Sequence, residues 1–126
     1  MLKEKLLPAD IFVVVNKTIL NDQDRKLLTM LYQPIIGSNA ISLFLTLWSY
    51  LDKMELMSLE CTHHHLMMSM RNRLEEIIES REKLEAIGLL RTYIKKDNIN
   101  NYIYELYSPV SPNEFFSNPI LNVSLY

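Results

Sequence analysis

Glycine is nearly absent, with two in 126 residues. Phosphate-cradling loops and dinucleotide-binding turns need several closely spaced glycines, so nucleotide hydrolysis is excluded. Cysteine is scarcer still. Cys61 has no partner for an internal disulfide, and the charged stretch Met1–Lys5 leads into no continuous apolar run. Both features point to a reducing cytosol rather than export. An excess of either charge is also missing: 13 Lys and Arg against 15 Asp and Glu leave a net charge of -2. Whole-domain attraction to nucleic acid phosphate is therefore not available, and only a local basic patch can serve that purpose. The longest uncharged run, Gln33 to Leu51, reaches the length of a membrane span but carries Pro34, Gly37, Ser38, Asn39, Ser42, Thr46 and Ser49. It reads as a buried helix.

What is present is the material for one globular domain, since 48% of the residues are hydrophobic and 22% charged. A chain of this length buries roughly two-thirds of its unfolded surface and needs no disulfide or structural metal. Ile11 to Val15 is a β-branched and aromatic run between Pro8 and Asp10 on one side and Asn16 and Lys17 on the other, which predicts a strand. Asn21 or Asp22 caps a first helix of about three turns. Leu27, Leu28, Leu31 and Tyr32 supply its apolar stripe and Pro34 ends it. Beyond the Gly37 break, Ser38 or Asn39 caps a second helix that runs to about Lys53. Ile41, Leu43, Phe44, Leu45, Leu47, Trp48 and Leu51 surround most of its circumference, so it must be central.

Thr62 to Met70 predicts a short third helix. A longer fourth begins near Asn72, with Leu74, Ile77, Ile78, Arg81, Leu84 and Ile87 at spacings of three and four, and Gly88 stops it. Leu89–Lys95 and Tyr102–Tyr107 are strand-like runs around the turn-forming Lys96–Asn101. Helices followed by a hairpin suggest a winged helix. Ser111-Pro112-Asn113-Glu114 is a capping box with proline at N1, so a last helix carries Phe115 and Phe116 toward the core and continues through Ile120, Leu121, Leu125 and Tyr126. The expected organisation is a mainly α, α+β winged helix-turn-helix. A strand and helix extension occupies 1–36, and the winged-helix core 37–110 has its wing at about 89–107. A C-terminal helix at 111–126 leads into a region that this chain lacks.

Chemistry-bearing residues are few. Cys61 and His63-His64-His65 form the one candidate metal cluster, but adjacent histidines diverge and no second ligand pair has usable spacing. They read instead as surface and partly buried histidines on a short helix. Cys61 shows no activating base, so nucleophilic catalysis has no support. Glu75, Glu76, Glu79, Glu82 and Glu85 alternate with Arg71, Arg73, Arg81 and Lys83 as a solvated, salt-bridged face. That face sits where a winged helix would read DNA, and carboxylates there repel phosphate. Arg91, Lys95, Lys96 and Tyr102, with Tyr93, Tyr104 and Tyr107 nearby, are the candidate nucleic-acid contacts on the wing. The strand at 11–15 is apolar on both faces and wants a partner, either the wing of its own chain or a second copy. Phe12, Val13, Val14 and Val15, with Tyr32 and Ile35 adjoining, are the candidate self-contact residues.

Several stretches in order carry a resemblance: Leu31-Tyr32-Gln33-Pro34-Ile35-Ile36-Gly37, Lys83 through Tyr93, Tyr104-Glu105-Leu106, Pro109, Ser111-Pro112 and Phe115-Phe116. Together they resemble the N-terminal domain of the DnaB replication initiation and membrane attachment proteins of low-GC Gram-positive bacteria, in the DnaB/DnaD primosomal family. These proteins are unrelated to the replicative helicase that shares the name. The resemblance implies a non-enzymatic winged-helix domain for self-association, as dimer or tetramer, and protein contact, without cofactors. The implied partners are a DnaD-like primosomal protein, an ATP-driven helicase loader and the replicative helicase. DNA contacts would fall mainly to regions absent from this chain, and membrane association would belong to the full-length protein only. The implied location is cytoplasmic, nucleoid-associated and peripheral to the membrane. The rival expectation is a sequence-specific DNA-binding regulator that uses the fourth helix and the Lys95-Lys96 wing.

Overall fold

A strand whose backbone would be an association hazard at an open edge is safest between two neighbours, and β1 (Ile11–Asn16) lies between β2 and β4 in the sheet. The computed structural model describes residues 5–18, 20–51, 56–96, 98 and 100–110. The chain order is β1, α1 (Asp22–Leu27), a π-helical stretch (Leu28–Tyr32), α2 (Gln33–Ile36), α3 (Ser38–Ser49), β2 (Cys61–Thr62), α4 (His63–Met70), α5 (Leu74–Ala86), β3 (Leu90–Lys95) and β4 (Asn101–Leu106). The sheet order is β2-β1-β4-β3. β1 runs parallel to β4, with Ile11 opposite Asn101 and Asn16 opposite Leu106. β3 and β4 form the antiparallel wing. On its other edge β1 meets β2, and farther along Ser58 both donates to the Val14 carbonyl and accepts from the Val14 amide, each at 2.8 Å. Of the two partners expected for this strand, the wing of its own chain is the one it takes.

This arrangement corrects the self-contact assignment. Phe12 and Val14 point into the helical side of the sheet and are 1% and 0% exposed, and Tyr32 is equally buried at 1%. Their side chains are spent on the chain's own core, so they cannot meet a second copy in the folded domain. Val13, Val15 and Ile35 are half-buried.

Asn21 is the residue that caps α1: its side chain accepts from the Asp24 amide at 3.1 Å, and Asp24 accepts in return from the Asn21 amide at 2.9 Å. The helical run then passes through Pro34 instead of ending there. A proline removes one amide and crowds the carbonyl four residues earlier. The wider π turn relieves that conflict by sending the Gln33 amide to the Leu28 carbonyl, five residues back. Gly37, at φ +88°, makes the break. It is also the N-cap of α3, which has no side-chain cap, contrary to the expectation for Ser38 or Asn39. α3 ends at Ser49, and the segment toward Lys53 falls partly outside the described residues, as do Asp97 and Ile99 of the wing turn and the expected helix at 111–126.

α3 packs against α5 and β1, burying Ala40, Ile41, Leu43, Phe44 and Leu47. Thr62 caps α4 by accepting from the His65 amide at 3.1 Å. α5 ends in a Schellman arrangement: Leu89 donates to Leu84 at 3.0 Å and Gly88, at φ +82°, donates to Glu85 at 3.2 Å. α4 ends the same way without a glycine. Asn72 donates to Met67 at 3.1 Å around Arg71, the one non-glycine residue at positive φ (53°) among the described residues. Arg71→Gly relieves that left-handed strain against the added chain entropy, and a net gain of about 0.5 kcal/mol is expected in urea denaturation. A destabilised variant would show that the Arg71 side chain matters more than its backbone.

Candidate interaction surfaces

α4, the turn at Arg71, α5 and the β3–β4 hairpin supply the helix-turn-helix and wing of a winged helix, so three surfaces are candidates: the outer face of α5, the wing, and the solvent side of the sheet. On α5 the inward positions are Ile77, Ser80, Arg81 and Leu84. Glu75, Glu79 and Glu82 are exposed. The expected ladder of pairs forms: Arg73 with Glu76 at 3.3 Å, Lys83 with Glu79 at 3.5 Å and Arg81 with Glu85 at 3.8 Å. Glu76 also accepts from the Arg73 amide at 3.0 Å, and these bonds hold its carboxyl below the usual range. Arg81 is buried, whereas the Arg73–Glu76 and Lys83–Glu79 pairs are solvent-exposed and contribute little to stability. Their consequence is electrostatic, because the helix that would enter a groove shows carboxylates to solvent.

On the wing, Arg91, Lys95 and Lys96 are exposed. Arg91 lies 5.7 Å over the Tyr107 ring and bonds Tyr93, contacts that raise its already high pKa. Tyr102 is a correction to the nucleic-acid assignment: it is 1% exposed and faces the core beside His63, so no base can stack on it. The alternation on β4 decides this, since Tyr102, Tyr104 and Leu106 face inward while Ile103 and Glu105 face out. Tyr93, 48% exposed, is the wing's accessible ring on β3.

The three adjacent histidines part company. His63 is fully buried, a correction to its reading as surface or partly buried, while His64 and His65 are exposed. His63 Nδ1 lies 2.7 Å from the Asp10 carbonyl oxygen and Nε2 lies 2.6 Å from the Tyr104 hydroxyl. The network assigns the tautomer: Nδ1–H donates to the carbonyl, and Nε2 accepts from Tyr104. Tyr104 in turn accepts from Arg81, itself 6% exposed. Burial depresses the His63 pKa and raises that of Tyr104. This chain of bonds joins the start of β1, the start of α4, β4 and α5. Sequence spacing could not reveal it, because the partners lie 53 and 41 residues from His63. Cys61 is a free, half-buried thiol whose pKa burial raises, away from the reactive thiolate form. Among the described residues no group of three or more His, Cys, Asp or Glu is placed to hold a metal ion, and no helix is long and apolar enough to cross a membrane.

The solvent side of the sheet carries Ile11, Val13 and Val15 of β1, Ile103 of β4 and Tyr93 of β3, with Val13, Ile103 and Tyr93 opposite one another. The two sides thus differ sharply: aromatic and aliphatic core toward the helices, a half-buried apolar band toward solvent.

Fold and surfaces together define a winged-helix domain whose would-be reading helix is acidic. The family model for the DnaB N-terminal winged helix domain matches residues 6–126, and the chain belongs to that family. It is 32% identical over 122 residues to the replicative helicase loading/DNA remodeling protein DnaB of Staphylococcus aureus. That match covers 96% of this chain and 26% of the Staphylococcus protein. The crystal structure of primosome protein DnaB (residues 1–300) from Geobacillus stearothermophilus is similar at a TM-score of 0.87 and 40% identity, over 96% of this chain and 46% of that one. The chain therefore spans about a quarter of the Staphylococcus protein's length and about half of the Geobacillus chain.

Proposed function

We propose that this domain serves self-association and protein docking in a DNA replication initiation protein that acts in primosome assembly and helicase loading. It works without catalysis or a cofactor of its own. The observation that carries the reading is the exposed carboxylate row on α5, Glu75, Glu79 and Glu82, where a major-groove reader would place cations. The family and the primosome and helicase-loading names of its relatives supply the context. Its partners on this reading are a second copy of itself, as dimer or tetramer, a DnaD-like primosomal protein, a helicase loader and the replicative helicase. Its place on this reading is the cytoplasm, associated with the nucleoid, with membrane association only in the full-length protein.

Because β1 offers no free edge, self-association falls to the helical surface around Ile35, which is half-buried, and Met30, which is 72% exposed. Sedimentation equilibrium at high micromolar concentration should show a dimer or larger species, and Met30→Glu should shift it toward monomer. A purely monomeric wild type would reject the reading.

Exposed Arg91, Lys95 and Lys96 favour the second reading, a DNA-binding regulator. That reading requires a mobility shift with a preference among duplexes and an affinity that drops steeply with salt. On the docking reading, any DNA binding by this domain is weak and indifferent to sequence.

A further inference from the structure

We propose that the solvent side of the sheet is a docking face for an amphipathic helix with acidic flanks, supplied by a different polypeptide. This rests on the protein-docking reading and deepens it by naming the surface and the chemistry of its partner.

Three strands, β1, β4 and β3, place an apolar row across the sheet. Val13 lies opposite Ile103, and Ile103 lies opposite Tyr93. On the other flank Val15 bridges to Met57, which is 55% exposed, and Leu59 beyond it is 84% exposed. The three strands in register span roughly 10 Å at about 4.8 Å spacing, and Met57 beside Val15 extends the apolar band obliquely, so that a helix of about ten residues fits along it. Beside the row, toward the start of β1, lies a hollow of about 270 Å³. Ile11, Val13 and Ile103 form its apolar wall, with Lys95, Asn101 and Glu60 around it. It is large enough to take one bulky side chain as an anchor, the feature that concentrates binding energy at interfaces. Among the described residues the helices cover one side of the sheet, and the apolar band on the other presents the surface that a further helix layer covers.

The charges around the band select the occupant. Lys17, Arg91, Lys95 and Lys96 surround it as cations, against Glu60 and Glu105. Glu105 is already engaged, 3.6 Å from Lys17 and 3.0 Å from the donating Tyr107 hydroxyl. Lys95 and Lys96 meet no carboxylate among the described residues. A two-fold pairing of this face with a second copy would set lysines against lysines. The acidic side of α5 on a second copy is complementary in charge but has its apolar stripe buried in its own core. An incoming helix with leucine-like residues at i, i+3, i+4 and i+7 and glutamates on either side satisfies both the band and its rim.

The test uses the 126-residue chain and fluorescence anisotropy. The probe is a labelled synthetic helix of about 14 residues with leucines on one face and flanking glutamates, and the control has lysines in place of the glutamates. Binding of the acidic probe with a Kd on the order of 10–100 μM is expected, with the lysine control at least about tenfold weaker. The paired change Leu59→Ser and Tyr93→Ser, at exposed positions, should weaken the acidic probe about tenfold. Lys95→Glu with Lys96→Glu should reverse the preference between the two peptides.

Equal affinity for the two peptides, no binding, or variants that bind like wild type would each overturn the proposal. Displacement of the probe by single-stranded DNA of equal charge would assign the rim to a polyanion instead. Conversion of a wild-type oligomer to monomer by Leu59→Ser and Tyr93→Ser would assign the face to a second copy. Peptide binding that emerges only on removal of residues 111–126 would assign it to that segment. A chain that self-associates and ignores duplex sequence but binds no peptide leaves the function proposed above standing and removes this inference alone.

Discussion

Val14→Asp is expected to unfold the domain, whereas Val13→Asp next to it leaves the fold intact. Val14 has no exposed surface and sits on the inner side of a strand paired along both edges. Removing its burial forfeits about 1.5–3 kcal/mol, and a carboxyl group that must sit among Phe12, Tyr104 and the helices without a partner adds more. A total of about 4 kcal/mol or more is a large part of the 5–15 kcal/mol that holds an ordinary domain together. Val13, half-buried on the solvent side, can turn an aspartate toward water, and a cost of about 1 kcal/mol is expected. Urea titrations followed by far-UV circular dichroism check both. A Val14→Asp protein with the wild-type midpoint would contradict the inward placement of this residue. The contrast matters for any attempt to dissociate an oligomer by charging this strand, because loss of assembly at Val14 would report lost folding.

The second large effect is acid sensitivity centred on His63. Both ring nitrogens are committed, one to the Asp10 carbonyl and the other to the Tyr104 hydroxyl. A proton added at Nε2 would face the Tyr104 hydroxyl hydrogen, and that hydroxyl cannot simply turn away because Arg81 donates to it from the other side. The charged groups around the ring are Asp10, whose carboxylate favours protonation, and Arg81, whose guanidinium opposes it. Burial is the largest influence and lowers the pKa. The unfolded chain therefore takes up a proton near pH 6.5 that the folded chain refuses. The stability held by neutral His63 is complete above that pH. It falls as pH drops below, by up to about 1.4 kcal/mol per pH unit until the depressed folded pKa is reached.

Urea midpoints measured between pH 7.5 and pH 5 should fall accordingly, against a His63→Leu variant. That variant strands the Asp10 carbonyl and the Tyr104 hydroxyl and should lose about 2–4 kcal/mol at neutral pH, but its pH slope over this range should be shallower. An NMR titration of the wild-type His63 imidazole gives an independent check: its shift should stay constant as pH falls through 6.5. A His63 ring that titrates near pH 6.5 in the folded protein would refute the account.

The elements themselves were legible wherever one periodicity dominated. β1, α5 with its Gly88 stop, and the wing follow from apolar spacing and from turn chemistry. Tyr102 illustrates a signal that was present but needs the alternation to be read: Glu105 marks the outer side of β4, which commits Tyr102, Tyr104 and Leu106 to the core. The unbroken apolar run of β1 marks a strand but does not tell which of its faces meets the helices, since Phe12 and Val14 are buried and Ile11, Val13 and Val15 half-buried. Pro34 was misleading for a local reason, because the π turn that accommodates it has no sequence mark of its own. His63 lay beyond reach in principle, since nothing in three adjacent histidines tells which one meets a carbonyl and a phenol from distant strands. On the candidate surfaces, the carboxylate row of α5 was readable from composition and helical spacing. The apolar row across the sheet was not, because it exists only once β1, β4 and β3 are in register.

The parallel pairing of β1 with β4 joins residues that lie 90 positions apart, Ile11 with Asn101. During synthesis the first strand must wait, with its valines exposed to water, until almost the whole domain has left the ribosome. Closing so long a loop delays the reward for every contact the strand makes, so this topology belongs with slow, non-local folders. A nascent chain halted before residue 101 holds an aggregation-prone segment with no β4 to receive it. The domain's most vulnerable moment in the cell is therefore its birth.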